Sequence, residues 1–185
     1  TLFPYTTLFR SPPGPAPADS EVEILVLQGE DRLGEVKTLL ADAEDAAGLP
    51  LIDESEQERL AELARTGRRA STWRSALVRR DGRAVAYVGV TVGQQPGAAT
   101  GDVAVRRPIR AADQVTALAL LTARRLGAAL GCSRVQVWLR AVGPAELEAA
   151  SQAGYAIERR VLILARGLPS DDPGGGAAVA RLADE

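Results

Sequence analysis

The chain has 185 residues, with 22 Lys+Arg against 24 Asp+Glu, and the balance of −2 offers no basic excess for nucleic acid or an anionic membrane. It holds no histidine, no methionine and one cysteine, Cys132. That excludes a Ser-His-Asp triad, a Cys-His pair, a histidine metal site, a cysteine zinc cluster and an intramolecular disulfide. An aromatic content of 4% disfavours a base-stacking surface. The longest apolar stretches, such as Ala84 to Val92, fall far short of the roughly 20 residues a membrane helix needs. A lone thiol fits a reducing, cytoplasmic setting. No nucleic acid, membrane or metal is therefore expected as a partner.

Thr1 to Ser11 (TLFPYTTLFRS) carries both phenylalanines and no acidic residue, unlike all that follows. It resembles a translated sequencing-adaptor leader. Ser11 to Ser20 is Pro-rich and reads as unfolded, so 1–20 is taken as a non-native leader and lead-in. The absent methionine fits a processed chain or a piece of a longer reading frame.

Glu21 to Leu27 alternates charged and apolar residues, which predicts a strand. Leu33, Val36, Leu40, Ala43 and Ala47 recur at helical spacing from Asp31, and Gly48-Leu49-Pro50 closes that helix. Asp53 can cap a second helix with Leu60, Leu63 and Ala64 on one face, ended by Thr66-Gly67. Trp73 to Arg80 and Arg83 to Val92 are strands around Asp81-Gly82, a pair suited to the positive φ values of a type I′ hairpin. Gly93 to Gly101 reads as a loop and Asp102 to Arg106 as a short strand. Val115 to Leu130 is a helix, apolar on most sides, as expected when it packs on a sheet. Arg134 to Leu139 is a strand. Pro144 to Ala153 is a helix, with Pro in its first turn and Gly154 just past its end. Tyr155 to Ile157 and Val161 to Ala165 are the last strands expected.

After Leu168 comes PSDDPGGG, a linker composition. Ala177 to Glu185 resumes apolar alternation, as a second domain would at its first strand. Residues 21–168 then form one domain, and 169–185 a linker and the start of another. The strand-helix-strand run over 102–139, within a mostly antiparallel set, implies one parallel crossover. The fold class is α/β (α+β): a mixed, mostly antiparallel sheet flanked by helices.

This order over 21–168 resembles the GNAT acyl-CoA N-acetyltransferases. RRDGRAVAYVGV, GDVAVRRPIRAADQVTALALL and ASQAGYAIERRVLILARGL carry the resemblance. It implies that acetyl-CoA lies beside a strand, here Val103, Ala104 and Val105. The following loop, with Arg110, would wrap the pyrophosphate at the start of the long helix, where unpaired N–H groups and the helix dipole favour anions. More narrowly, VEILVLQG, AGLPLIDESEQERLAEL, RVQVWLRA and LILARGLP are similar to the N-terminal half of the mycothiol synthase family. Those proteins are tandems of two GNAT domains. The resemblance implies a C-terminal GNAT half as intramolecular partner, which carries the chemistry, and a small-molecule amine as acceptor. It also implies an acidic residue near the acceptor. Glu54 is assigned that place, with Glu56 equally aligned; a helix-capping cluster explains the same acids.

The pyrophosphate loop of GNAT proteins reads Arg/Gln-x-x-Gly-x-Gly/Ala, because glycines let backbone N–H groups reach the phosphates. Here Asp113 and Val115 fall at the two small positions, and no glycine occurs from Val105 to Leu126. Arg106, Arg107 and Arg110 either meet phosphates or form a solvated cluster. The tyrosine that commonly precedes the Gly-aromatic pair by four is Ala150, which has no proton to give. Asp102 stands where a general base would act on an amine, and also where a turn residue would stand. Tyr155, Trp73 and Trp138 read as core or edge aromatics, and Cys132 as a structural thiol. Three functions follow: a silent supporting half of an acetyltransferase, a non-catalytic binding or scaffold module, and a small free-standing acetyltransferase with a divergent loop.

Overall fold

The computed structural model describes residues 22–109 and 111–156. The first strand, β1, is Val22–Val26. Helix α1, Leu33–Ala47, turns Leu33, Val36, Leu39, Leu40 and Ala43 inward, the period an amphipathic helix requires. It stops at Gly48, whose φ of 68° suits a residue without a Cβ. Helix α2, Glu54–Thr66, starts where the Asp53 side chain accepts the Glu56 N–H at 2.7 Å, satisfying an otherwise orphan donor.

β2, Trp73–Arg80, and β3, Arg83–Val92, form the expected hairpin. Asp81 and Gly82 both have positive φ, 51° and 76°, as a type I′ turn demands.

The fourth strand departs from the expectation. β4 spans Ala98–Val105, four residues earlier than Asp102, and the loop shrinks accordingly. Ala98, Ala99 and Gly101 carry little strand signal of their own. Ala99, Thr100 and Gly101 are strand because β3 pairs them on one side and β5 on the other, and Ala98 pairs with β5. Helix α3, Ala112–Ala129, also begins before the expected Val115, since its first turn is polar and outside the apolar period. β5, Arg134–Leu139, and α4, Pro144–Gln152, follow as read. In α4 the Glu146 side chain accepts the Gly143 N–H at 2.9 Å. Of the expected strand Tyr155–Ile157, Tyr155 and Ala156 are described and are not in a strand; Ile157, the strand expected over Val161–Ala165, the leader, the linker and Arg110 lie outside the described residues.

The sheet order is β1-β2-β3-β4-β5, antiparallel except for the β4–β5 pair. That pair is parallel because α3 carries the chain across, which is the crossover expected. Each sheet face has its own core. Val88, Val90, Val103, Val115, Leu120 and Leu126 lie on the α3–α4 side; Val36, Leu39, Leu63, Trp73, Leu77 and Tyr87 lie on the α1–α2 side. Among the described residues no helix is long and apolar enough to cross a membrane.

Candidate functional site

At the centre of the sheet, Ser75, Gly89, Asp102 and Trp138 stand opposite one another on β2, β3, β4 and β5. They form a row between Trp73, Leu77, Tyr87 and Ala104 of the α1–α2 core. Gly89 leaves a notch in that row. A Cβ there would lie 1.7 Å from Glu56 Oε1, so the α2 carboxylate occupies the space the missing side chain vacates.

Glu56 is 1% exposed. Trp73 Nε1 donates to its oxygens at 3.0 and 3.1 Å, the Tyr87 hydroxyl donates at 2.5 Å, and Arg59 donates at 2.8 Å. Burial pushes its pKa above the ordinary 4.5, against the lowering pull of Tyr87, Trp73 and Arg59. Burial also drives the Tyr87 hydroxyl well above its usual range, with Glu56 adding to the rise. Beyond α2 lies a shallow cavity of about 340 Å³, lined by Ser55, Glu58, Arg59, Glu62, Arg68, Ala70 and Trp73.

Asp102 is 3% exposed. Arg140, just past β5, donates to it at 2.6 Å and to the Leu51 carbonyl at 2.6 Å. One guanidinium thus ties β4 to the α1–α2 connection. Burial raises the Asp102 pKa, while Arg140 draws it back down. Asp102 is a strand residue in an ion pair, not the turn residue that an Asp beside a Gly suggested.

The other expected site residues fall as follows. Val103 and Val105 pack into the α3–α4 core and Ala104 into the other, so only their backbone can face a ligand. Pairing of β4 with β5 ends at Val103–Leu139, while β4 continues against β3 through Val105. The β5-side edge of Ala104 and Val105 is therefore outside the ladder. Glu54 is exposed in the first turn of α2, two residues from the buried Glu56.

Arg106 pairs with Asp42 of α1, and Arg107 with Glu146 of α4 at 2.8 Å. Both thus brace helices beside the loop. α3 starts from Ala111 in the left-handed region, φ 55°, with no side-chain cap. Asp113 is exposed in its first turn, whereas Val115 is 4% exposed and points into the core. Val115 thus adds no bulk to the loop.

Ala150 is buried on α4, and the Tyr155 hydroxyl donates to the Leu120 carbonyl at 2.9 Å. Cys132 Sγ lies 3.4 Å from the Ala98 carbonyl, a structural position. Trp73 is core, and Trp138 is 38% exposed on β5. Among the described residues no group of three His, Cys, Asp or Glu side chains is placed to hold a metal.

Tyr87, Gly89 and Arg140 were not anticipated. Tyr87 is the sole aromatic in the β3 run, and a buried hydroxyl needs a polar partner; that signal was available. Arg140 follows a strand as any surface arginine does and carried none.

No family model and no curated protein matches the sequence. Solved structures do share the fold. The aminoglycoside N-acetyltransferase AAC(6')-Iy, in complex with the bisubstrate analog CoA-S-monomethyl-acetylneamine, superimposes with a TM-score of 0.56 at 15% identity, over 80% of this chain and 100% of that one. The aminoglycoside acetyltransferase meta-AAC0020, from an uncultured soil metagenomic sample, gives 0.55 at 16% identity, over 80% and 97%. The ribosomal-protein-alanine N-acetyltransferase from Brucella melitensis biovar Abortus 2308 gives 0.51 at 18%, over 80% and 100%. At these identities the likeness is one of architecture: the described chain has the GNAT-type N-acetyltransferase fold.

Proposed function

We propose that this chain is the N-terminal GNAT half of a mycothiol synthase, supporting a catalytic C-terminal half and itself catalytically silent. In the parent reaction an amine nitrogen of cysteinyl-glucosaminyl-inositol attacks the acetyl carbonyl of acetyl-CoA. The C–S bond breaks, the thiol leaves, and the amine gives up a proton. Such a site needs phosphate-binding amides, a proton acceptor for the amine and a proton donor for the thiolate.

The tandem reading rests on the sequence resemblance, and the observation that supports catalytic silence is the start of α3. No glycine occurs from Val105 to Leu126, and Arg106 and Arg107 are engaged by Asp42 and Glu146. The loop precedes a helix N-terminus, but its described residues do not fit a pyrophosphate. Two further observations agree. Asp102 is sequestered under Arg140, and Ala150 supplies no acid. The edge of Ala104–Val105 beyond the β4–β5 ladder is where this reading puts the acyl carrier. The cytoplasmic setting, the second GNAT half as partner and a small amine as acceptor belong to the same reading.

Two measurements on this chain test it. Acetyl-CoA plus the cysteinyl amine acceptor should release no thiol above the blank, and calorimetric titration with acetyl-CoA should give no heat. Clear thiol release overturns catalytic silence, and micromolar binding favours a free-standing acetyltransferase with a divergent loop. A second GNAT pattern downstream, with an intact Arg/Gln-x-x-Gly-x-Gly loop, supports the tandem; an unrelated continuation favours a non-catalytic module.

A further inference from the structure

We propose that α2 is a lid over the polar row of the sheet, hinged at Gly67 and held shut by the Glu56 carboxylate seated on Gly89. The proposal is independent of the acetyltransferase reading. It starts from how little of α2 is inside. Of its thirteen residues only Glu56, Leu60 and Leu63 are buried. Ala64 packs partly buried against the same core, and most of the rest is exposed or lines the shallow cavity beside Trp73.

The chain on either side of α2 is pegged independently of the helix. Before it, Leu51 and Ile52 are each 3% exposed. The Leu51 N–H donates to Glu44 at 2.9 Å, and its carbonyl accepts from Arg140 at 2.6 Å. After it, Arg69 donates to the Leu27 carbonyl at 3.0 Å. Between those pegs sits Gly67, with a φ of 65° and no neighbouring atom within 4 Å of where its Cβ would be. A glycine in open space can change φ and ψ without steric cost, which is what a hinge requires.

The latch is geometric. The Glu56 carboxylate fits only because residue 89 has no Cβ, and Trp73 and Tyr87 grip it from β2 and β3. Burial of the carboxyl opposes the closed position while these hydrogen bonds favour it. The closed state therefore rests on a difference between two large terms. Elements held this way open before the strands beneath them. Opening would uncover Glu56, Trp73 and Tyr87 together.

Native-state hydrogen exchange on the intact chain, in increasing urea, tests the lid at the Trp73 indole N–H, which donates to Glu56 in the closed position. A swinging helix keeps its own backbone bonds, so that indole N–H should exchange through an opening with weaker urea dependence than that of the β2–β3 hairpin amides. Gly89→Ala should drive the carboxylate out and speed indole exchange by about tenfold or more, with its weak urea dependence retained. If Gly89→Ala does not fold, Tyr87→Phe removes one grip without adding atoms and should give about fivefold. The proposal is overturned if the indole N–H shares the hairpin's urea dependence at every concentration, or if its exchange is unchanged in the variant measured.

Discussion

Replacing Arg140 with alanine asks whether Asp102 is a tethered structural carboxylate or one at liberty to take a proton from a substrate. Arg140 Nη1 makes two contacts of 2.6 Å, to Asp102 and to the Leu51 carbonyl. The Asp102 side chain is 5% exposed and that of Arg140 23%. Removing one partner of a fully buried pair costs about 3–5 kcal/mol. Water reaching the partly exposed guanidinium weakens the pair, so about 2–3 kcal/mol is expected at pH 7. For a chain of this size that lowers Tm by about 5–10 °C.

The pH dependence carries more information than the magnitude. Burial already raises the Asp102 pKa, and Arg140 opposes the rise, so the variant's carboxyl is raised further. Well below the unfolded value of about 3.9 the group is protonated both folded and unfolded, and only the hydrogen bonds are lost. As pH rises from the unfolded value through the raised folded pKa, the folded variant must keep or ionise a buried carboxyl without its partner, and the penalty grows until it levels off. Urea melts of wild type and Arg140→Ala from about pH 3 to 8 measure this. Asp102→Asn in the Arg140→Ala background should abolish the pH dependence and restore most of the stability. A loss independent of pH, or a double variant no more stable than the single one, would refute the reasoning.

Gly127→Ala should destabilise by about 1 kcal/mol, although a helix-interior glycine ordinarily gains about that much on becoming alanine. The added Cβ would meet Val135 Cγ2 at 2.3 Å, and a valine is stiff at χ1. The same change in a Val135→Ala background should turn stabilising; a gain in the wild-type background sinks the argument. Glu56 has a raised pKa, so its stability contribution is present below its ordinary value of 4.5 and is lost as pH rises through the folded value. Wild type should therefore lose more stability than Glu56→Gln across that window in parallel urea titrations, and equal slopes would contradict the assignment.

Much of the fold was legible in the sequence. Asp53, Gly48 and Gly67 mark helix ends through their own backbone chemistry, and Asp81-Gly82 marks a hairpin through its φ values. The order of the elements then limits the topology to a sheet with one parallel crossover. The site was less legible. Glu54 and Glu56 are equivalent on a helix-start pattern, because either stabilises the N-terminus of α2. Only the packing of α2 on the sheet makes one exposed and the other buried.

What the sequence by itself determined is local: where helices cap, where the hairpin turns, which residues are apolar at helical or strand period, and that the loop before α3 lacks glycines. The tertiary structure decided the extent of β4, which depends on partners on both sides. It also decided the engagement of Arg106 and Arg107 by α1 and α4, and the assembly of Glu56, Tyr87, Asp102 and Arg140. Arg140 lies 89 positions from Leu51 and 38 from Asp102, and Tyr87 lies 31 from Glu56. A residue's neighbours at such separations follow from strand register and helix packing, which no local pattern encodes. The absences of histidine, methionine and a second cysteine narrowed the chemistry at the outset; the notch at Gly89 became visible only when the sheet was assembled.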